Sequence, residues 1–247
     1  MNASHTLTDR AALTRNRSRA TDDALFLPRA ALEEVDDRLS LVNRTFTSAA
    51  IVTGFPQVWG ALHPSATLVE DTDTLALTQG AHDLVVHAMG MHWANDPVGQ
   101  IIQSRRALQP DGLFLSVGFG GQTLHELRAC MGQAEASITG GLSPRIAPMA
   151  ELRDIGGLLQ RAGLALPVAD SVTLTTEYSD IWHLMRDLRA MGEANALTSR
   201  LRRPSGRAIF DTAGQLYRDH YATPEGRIKA SFELVFLAGW APADNQP

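Results

Sequence analysis

The chain has 247 residues, of which 44% are hydrophobic, and a net charge of −5. This length allows one large domain or two small ones with a sizeable core, and the composition excludes global disorder. The acidic balance argues against a general nucleic-acid or anionic-membrane binder, because both need a positive surface.

A single cysteine, Cys130, excludes an internal disulfide and a metal cluster built from cysteines, and we expect it to pack as a small core residue. The chain contains no apolar run of the ~18–20 residues that span a bilayer. Its first ten residues lack the apolar core of a signal peptide. These features predict a cytoplasmic protein without a transmembrane segment.

The first part of the chain combines helical and strand-like patterns. Helices are expected at 9–20 and 28–46, and apolar runs predict strands at 49–53, 66–70 and 83–88. We divide the chain into an N-terminal helical segment, 1–48, and one α/β domain, 49–247.

The later part alternates more regularly. The pattern predicts a helix at 97–108, a turn at Gln109–Gly112, a buried strand at 113–117, helices at 123–137 and 149–162, a strand at 167–178, helices at 180–197 and 205–221, and a strand at 227–240. Strands that alternate with helices indicate a mostly parallel sheet with helices on its faces. The last two strands predict a late antiparallel pair, with a helical insertion around 180–222.

The loop Met91–Asp96 follows the strand at 83–88. In open α/β sheets ligands lie beyond the carboxyl ends of the strands. His92 is therefore a candidate proton acceptor, and Trp93 a candidate pocket wall. A compatible alternative is that Trp93 packs in the core while Asn95 or Asp96 caps the next helix.

Three further features have both a functional and a structural interpretation. Gly120 and Gly121 follow the strand at 113–117 and allow either close approach of a ligand or a tight turn. Arg145 can bind a substrate carboxylate or pair with Glu135. The basic cluster Arg200, Arg202, Arg203 and Arg207 is either a solvated face or a docking site for an acidic partner. No spacing demands a metal ion, so we assign no metal site.

The string HDLVVHAMGMHWANDPVGQIIQSRRALQPDGLFLSVGFGGQTLHELR at 82–128 resembles strands 4 to 5 of the class I S-adenosylmethionine-dependent methyltransferases. GGLSPR, RDIGGLLQRAG and LMRDLRAMGEANAL extend the resemblance. They make it closest to a subgroup that contains the biotin-synthesis carrier-protein methyltransferase and bacterial relatives of a methyltransferase-fold assembly factor of respiratory complex I.

The resemblance implies a Rossmann-like fold and methyl transfer from S-adenosylmethionine to an unknown acceptor. It implies these cofactor contacts: Gly54, Gly60, Asp71, His87, Met89 and Trp93. It implies these substrate-pocket residues: His92, Trp93, Gly120, Gly121 and Arg145. The alternative is a non-catalytic or hydroxylase-like assembly factor whose partner is a complex I subunit.

The segment before Asp83 departs from the family pattern. The first strand of the family ends in a G-x-G-x-G turn, whereas here only Gly54 and Gly60 remain, and Phe55, Pro56 and Trp59 stand between them. Only 29 positions separate Gly54 from Asp83, where the family fits two helices and two strands. We therefore expect shortened or missing elements here. Glu70, Asp71 and Asp73 are the acidic residues available to bind ribose hydroxyls.

Overall fold

The computed structural model describes residues 6–243. The described chain forms two compact units, which are treated separately below. Unit 1 contains residues 6–24, 121–149 and 173–233, and unit 2 contains residues 25–120, 150–172 and 234–243. Within residues 6–243 no helix is both long enough and apolar enough to cross a membrane.

Six strands form one sheet in the order β2-β1-β3-β4-β6-β5. Their bounds are β1 Ala49–Thr53, β2 Thr67–Val69, β3 His82–Ala88, β4 Leu108–Phe119, β5 Ala165–Tyr178 and β6 Ile228–Trp240. β1 pairs in parallel with β2 and β3, β3 pairs in parallel with β4, and β4 pairs antiparallel with β6. The predicted fold, a mostly parallel sheet with a late antiparallel pair, is confirmed.

The helices are α1 Arg10–Arg17, α2 Phe26–Ser40, α3 Pro56–Trp59, α4 Pro97–Ala107, α5 His125–Thr139, α6 Leu152–Arg161, α7 Ile181–Ala190 and α8 Arg207–Tyr221. Several begin at a side-chain cap: Asp9 accepts from the Ala12 amide, and Asp180 accepts from the His183 amide. Gly163, with φ +79°, follows the end of α6, where glycine permits the left-handed turn.

Three predicted boundaries are wrong by more than three residues. The helix expected to reach residue 46 ends at Ser40, and the one expected to reach 197 ends at Ala190. The segment Gln109–Gly112, predicted as a turn, belongs to β4. The strand is irregular there: from Leu108 to Leu113 β4 advances by five residues, whereas the paired part of β3 advances by two. Asp111 in this stretch has φ +61°. The turn-forming residues thus produce a bulge rather than a separate turn.

The connection from β1 to β3 is short, as expected. It contains only the four-residue helix α3, the three-residue strand β2 and an irregular segment at 70–81. At the start of β3, the buried Asp83 carboxylate accepts from the Thr47 and Ser48 amides at 2.7 and 2.9 Å. Burial raises the pKa of Asp83, but these hydrogen bonds outweigh it and hold the pKa below its ordinary value. Asp83 therefore fixes the entry of the chain into β1 beside β3.

Each unit has its own packed interior. In unit 2, α4 and α6 cover a core of buried residues that includes Val52, Val85, Ile101, Phe114 and Leu159. In unit 1, α8 packs against α5 and α7. A buried ion pair closes this unit locally: Arg145 binds both carboxylate oxygens of Glu135, through Nε at 2.9 Å and Nη2 at 2.6 Å. Arg145, the Ser143 amide and the Ser143 hydroxyl together lower the pKa of Glu135 to about 2.

Glu135→Gln is expected to lower the free energy of unfolding at pH 7 by about 3 kcal/mol, because the carboxylate is more acidic when folded than when unfolded. A depressed folded pKa gives stability above pH ~4.5, and that stability is lost as pH falls toward 2. Denaturant melts at pH 7, 4 and 3 measure it. The difference between wild type and variant should shrink in the acid series, whereas Glu33→Gln, at an exposed carboxylate, should have little effect. A pH-independent difference contradicts the assignment.

Candidate functional site

The carboxyl ends of β1, β2, β3 and β4 lie at one edge of unit 2, since these four strands are parallel. The predicted residues Gly54, Asp71, Met89 and Gly120 each follow one of these strands within two positions. Loops at this edge of an open α/β sheet are where ligands bind. The topology therefore brings most of the sequence-predicted residues of unit 2 to one edge.

The turn after β1 is filled by two aromatic side chains. Phe55 and Trp59 have no exposed surface. The Phe55 amide donates to the Thr53 hydroxyl at 3.0 Å, and the amides of Val58 and Trp59 both donate to the Phe55 carbonyl. Pro56 has no amide hydrogen. The turn therefore keeps these amide donors for its own structure, and the Trp59 indole N–H is buried without a hydrogen-bond partner in the protein.

Asp71 follows β2, the strand that lies directly beside β1. Asp71 is buried, with 2% of its surface exposed. A Cβ atom placed on Gly90 would lie 2.6 Å from Asp71 Oδ2 and 3.0 Å from His87 Cε1. The carboxylate and the imidazole thus both lie within 3.0 Å of one point beside the Gly90 backbone. Glu70, Asp71 and Asp73 were the acidic candidates for binding ribose hydroxyls. The structure places Asp71 in this buried position, whereas Glu70 and Asp73 are exposed.

The hydrogen bonds of Gln100 determine which nitrogen of His87 carries the proton. The Gln100 amide group donates to the Thr72 carbonyl at 3.0 Å, so its oxygen faces His87 Nε2, at 2.6 Å. His87 Nε2 must therefore be the protonated nitrogen, because that oxygen can only accept. His87 Nδ1 is then a bare acceptor, and it is fully buried with no partner in the protein. Burial lowers the pKa of His87 below its ordinary value, so the ring is neutral at pH 7.

Side chains of α4 hold the segment that carries Asp71. The Leu75 amide donates to the Gln103 side-chain oxygen at 2.8 Å, and the Gln103 amide group donates to the Asp73 carbonyl at 3.2 Å. Met89, next to this network, has φ +54°, a conformation unfavourable for a side chain other than glycine. Backbone strain of this kind concentrates at functional sites.

His92 lies in a single 3-10 turn, Met91–Trp93, after β3. Its Nδ1 accepts from the Phe119 amide at 3.4 Å, and its ring lies 4.8 Å from the Phe119 ring. Trp93 is 3% exposed, so it packs in the interior. Asp96 caps α4 by accepting from the Gly99 amide at 2.8 Å, with Pro97 in the first turn. The predicted helix cap is confirmed, and a role of His92 or Trp93 in a pocket stays a prediction.

The remaining predicted residues lie elsewhere. Gly60 ends α3 and is exposed. Gly120 and Gly121 directly follow β4 and are buried. Arg145 takes the structural alternative and pairs with Glu135, and its Nη1 also donates to Ser205 Oγ at 2.9 Å. Its role with a substrate stays a prediction.

Neither Cys130 nor a metal cluster provides a second site among the described residues. Cys130 is buried, and burial raises the pKa of its thiol to about 11. Residues 6–243 contain no group of three or more His, Cys, Asp or Glu side chains placed to hold a metal ion.

Gln100 and Gly90 are the site residues that the sequence did not single out. Both have a local signal. Gln100 and Ser104 are four positions apart on the inward face of α4, where apolar residues are expected, and both are buried. A polar pair on an apolar helical face indicates a buried hydrogen-bond network. Gly90 follows β3 directly, where close backbone approach calls for glycine.

No family model matches this chain. The chain is 34% identical over 183 residues to the zebrafish (Danio rerio) protein named "Arginine-hydroxylase NDUFAF5, mitochondrial", a match that covers 74% of this chain and 57% of the relative. It is 33% identical to the human protein of the same name, over 74% of this chain and 53% of the relative. It is also 33% identical to a malonyl-[acyl-carrier protein] O-methyltransferase of Laribacter hongkongensis, over 72% and 57%. The chain thus spans a little over half the length of these relatives.

Two solved structures share the fold. A candidate methyltransferase from Bacillus halodurans matches with a TM-score of 0.53 and 10% identity, over 86% of this chain and 99% of that one. The YcgJ protein from Bacillus subtilis matches with a TM-score of 0.52 and 12% identity, over 87% and 99%. At such identities these matches describe the fold alone.

Gly90→Ala is expected to destabilise the protein by about 1–3 kcal/mol, because the added methyl group meets the Asp71 carboxylate at 2.6 Å. The backbone of Gly90, with φ −121°, allows alanine, so the effect is steric. Denaturant unfolding checks it. The matched control is Gly157→Ala within α6, where no atom lies within 4 Å, and alanine should be neutral or stabilising by up to ~1 kcal/mol. Equal stability of both variants contradicts the packing of Asp71 on Gly90.

His87 also predicts a pH dependence of stability. Because the folded pKa of His87 lies below its ordinary value, the unfolded chain binds this proton first. Its contribution to stability is therefore present above pH ~6.5 and is lost as pH falls through the unfolded pKa toward the folded one. Unfolding curves between pH 8 and 5.5 should show a steeper loss for wild type than for His87→Gln. Parallel curves contradict a neutral buried imidazole.

Proposed function

We propose that this chain, which belongs to the methyltransferase-fold superfamily, binds S-adenosylmethionine at the carboxyl edge of unit 2 and transfers its methyl group to an acceptor. The observation that carries the proposal is His87 Nδ1, a buried acceptor with no hydrogen-bond partner in the protein, which lies with the buried Asp71 carboxylate beside Gly90 at this edge. A buried acceptor without a partner is uncommon unless a ligand or water completes it.

The chemistry of these groups fits part of the cofactor. A carboxylate and a bare imidazole nitrogen accept hydrogen bonds, and the cofactor offers ribose hydroxyls and amine groups that donate them. Gln100 keeps the His87 ring in the tautomer that accepts at Nδ1. Of the sequence-predicted contacts, Asp71, His87 and Met89 are the ones that we assign to cofactor binding, while Trp93 supports them from the interior.

The turn after β1 does not fit in the same way. Phe55 and Trp59 fill it, and its amides at 55, 58 and 59 are already bonded within the turn. Gly54 therefore contributes a close backbone approach at most, and we expect the cofactor to be held mainly from the β2 and β3 side.

The cofactor, when bound, supplies an electrophilic methyl group on a sulfonium. The protein then needs chiefly to position the acceptor and exclude water. His92, at the start of the loop after β3, is the residue that we assign to taking up an acceptor proton. Gly120 and Gly121 are proposed to allow the acceptor close to the backbone. A cytoplasmic location is part of this proposal.

Calorimetric titration with S-adenosylmethionine should show binding in the micromolar range. Asp71→Asn keeps the shape of the side chain but removes its charge, and should weaken binding about tenfold. The matched control is Asp73→Asn in the same segment, where the carboxylate is exposed and affinity should be unchanged. Circular dichroism checks that the variants are folded. The absence of any heat of binding for the wild-type protein at about 1 mM cofactor contradicts the proposal.

A second function is favoured by the closed turn after β1 and by the relatives named NDUFAF5. In this alternative the chain keeps the fold as a scaffold for assembly of respiratory complex I, without methyl transfer or with hydroxylase-like chemistry. Its partner is then a complex I subunit. Micromolar binding of S-adenosylmethionine counts against the scaffold function.

The scaffold function makes its own prediction. Deletion of the gene in the source organism should reduce assembled complex I on native gels. Asp71→Asn should restore assembly as fully as wild type, because the scaffold does not use the donor site. Normal assembly in the deletion strain, or restoration by wild type alone, contradicts this alternative.

A further inference from the structure

Unit 1 carries an open groove that the proposed function does not use. Its volume is about 590 Å³, and it is lined by Asp180, Trp182, Arg186, Ser205, Arg207 and Phe210. The lining comes from α7 and its cap residue Asp180, from the start of α8 and from the loop before α8. All of these residues belong to unit 1.

The floor of the groove is aromatic. The rings of Trp182 and Phe210 lie 5.2 Å apart, and Trp182 is 37% exposed. Trp182 and the adjacent Phe210 ring together leave apolar area in contact with water, and contiguous apolar area of this kind marks interaction sites more than a single exposed side chain does. Tryptophan and arginine are also the side chains most enriched where protein interfaces concentrate their binding energy.

Phe210, one of the two rings of the floor, lies near an ion pair. Arg145 lies 5.8 Å from the centre of the Phe210 ring, and the same guanidinium binds Glu135 and the Ser205 hydroxyl. A surface fixed in this way binds with little loss of side-chain freedom. This gives the Glu135–Arg145 pair a second role, in shaping the groove.

The rim is basic on an acidic protein. The lining contains two arginines, Arg186 and Arg207, and one carboxylate, Asp180, which accepts from the His183 amide at the start of α7, whereas the whole chain carries a net charge of −5. Arg207 is 84% exposed as a side chain, and the half-exposed Asp211 carboxylate lies 3.5 Å from it. Arg186 is exposed as well. Pairs of this kind are weak, so both guanidinium groups remain available to a partner.

We propose that this groove, Trp182–Phe210 with Arg186 and Arg207, docks an acidic segment of a partner protein that inserts an apolar side chain over the two rings. Charge complementarity selects carboxylates for the rim, and the aromatic floor selects an apolar residue between them. The proposal is independent of cofactor binding, because the groove lies wholly within unit 1 and Asp71 and His87 lie in unit 2.

Fluorescein-labelled peptides test the groove by anisotropy. A short peptide that alternates Glu and Leu should bind, and its affinity should fall as salt rises. Peptides that replace Glu by Lys, or Leu by Ser, should bind at least about tenfold more weakly. No binding of the Glu–Leu peptide at about 1 mM overturns the proposal, as does equal binding of the Lys–Leu peptide. Tighter binding of a single-stranded oligonucleotide than of the Glu–Leu peptide also overturns it.

Variants locate the binding. Arg186→Glu combined with Arg207→Glu should weaken the Glu–Leu peptide at least about tenfold. Glutamate is favourable at the first position of α8, so folding is preserved. Arg153→Glu, at an exposed arginine of unit 2, should have no effect.

Trp182→Ala should also weaken binding, and Trp182→Phe should restore most of it. Calorimetric binding of S-adenosylmethionine should be unchanged in all of these variants, which separates this proposal from the proposed function. Equal weakening by Arg153→Glu and by the double variant overturns it.

Discussion

The short connection between β1 and β3 is the constraint on which the rest of unit 2 depends. Parallel strands need a crossover of about a dozen residues or more, usually with a helix. Here both crossovers, at 54–66 and 70–81, are close to that minimum, and only the first contains a helix, of four residues. The connection therefore has too few residues to cover this part of the sheet with helices, and individual side chains cover it instead.

Two groups of side chains replace the missing helices. Phe55 and Trp59 are fully buried after β1 and supply the apolar bulk. On the other side, the extended segment that follows β2 has backbone groups that need partners, and Gln100 and Gln103 of α4 provide them. The same Gln100 that holds this segment also sets the tautomer of His87. The polar edge of unit 2 is thus a consequence of the shortened connection.

The sequence predicted most of the elements but not the contacts between them. Strands such as β1 and β3 are local apolar runs, so their positions could be predicted closely, and the helices followed from periodicity and from caps such as Asp96. The neighbourhood of Asp71 and His87 depends instead on register: Val52 pairs with Val69 on one side and with His87 on the other. Nothing local in the sequence sets that register.

The prediction of a separate turn at Gln109–Gly112 was wrong for a related reason. Proline and glycine indicate that the backbone must depart from a regular strand, and it does so. Whether the departure ends a strand or only bends it depends on pairing with β3 and β6, which lie far away in the chain. Arg145 illustrates the same limit, because its two possible partners are indistinguishable until the fold brings Glu135 to it.

The changed connection also alters the chemistry that the edge presents. A glycine-rich turn offers free amide donors, which suit ligand oxygens. In this chain the amides of Phe55, Val58 and Trp59 are bonded within the turn after β1, and the neighbouring strand β3 carries a buried acceptor without a partner, His87 Nδ1. A bare imidazole nitrogen accepts from hydroxyl and amine groups and not from carboxylates or phosphates. Three amides of the turn are thus not free as donors, and the neighbouring strand offers an acceptor instead. Because a ligand is chosen by the groups at the edge and not by the sheet that carries them, this change says more about the ligand than the fold does.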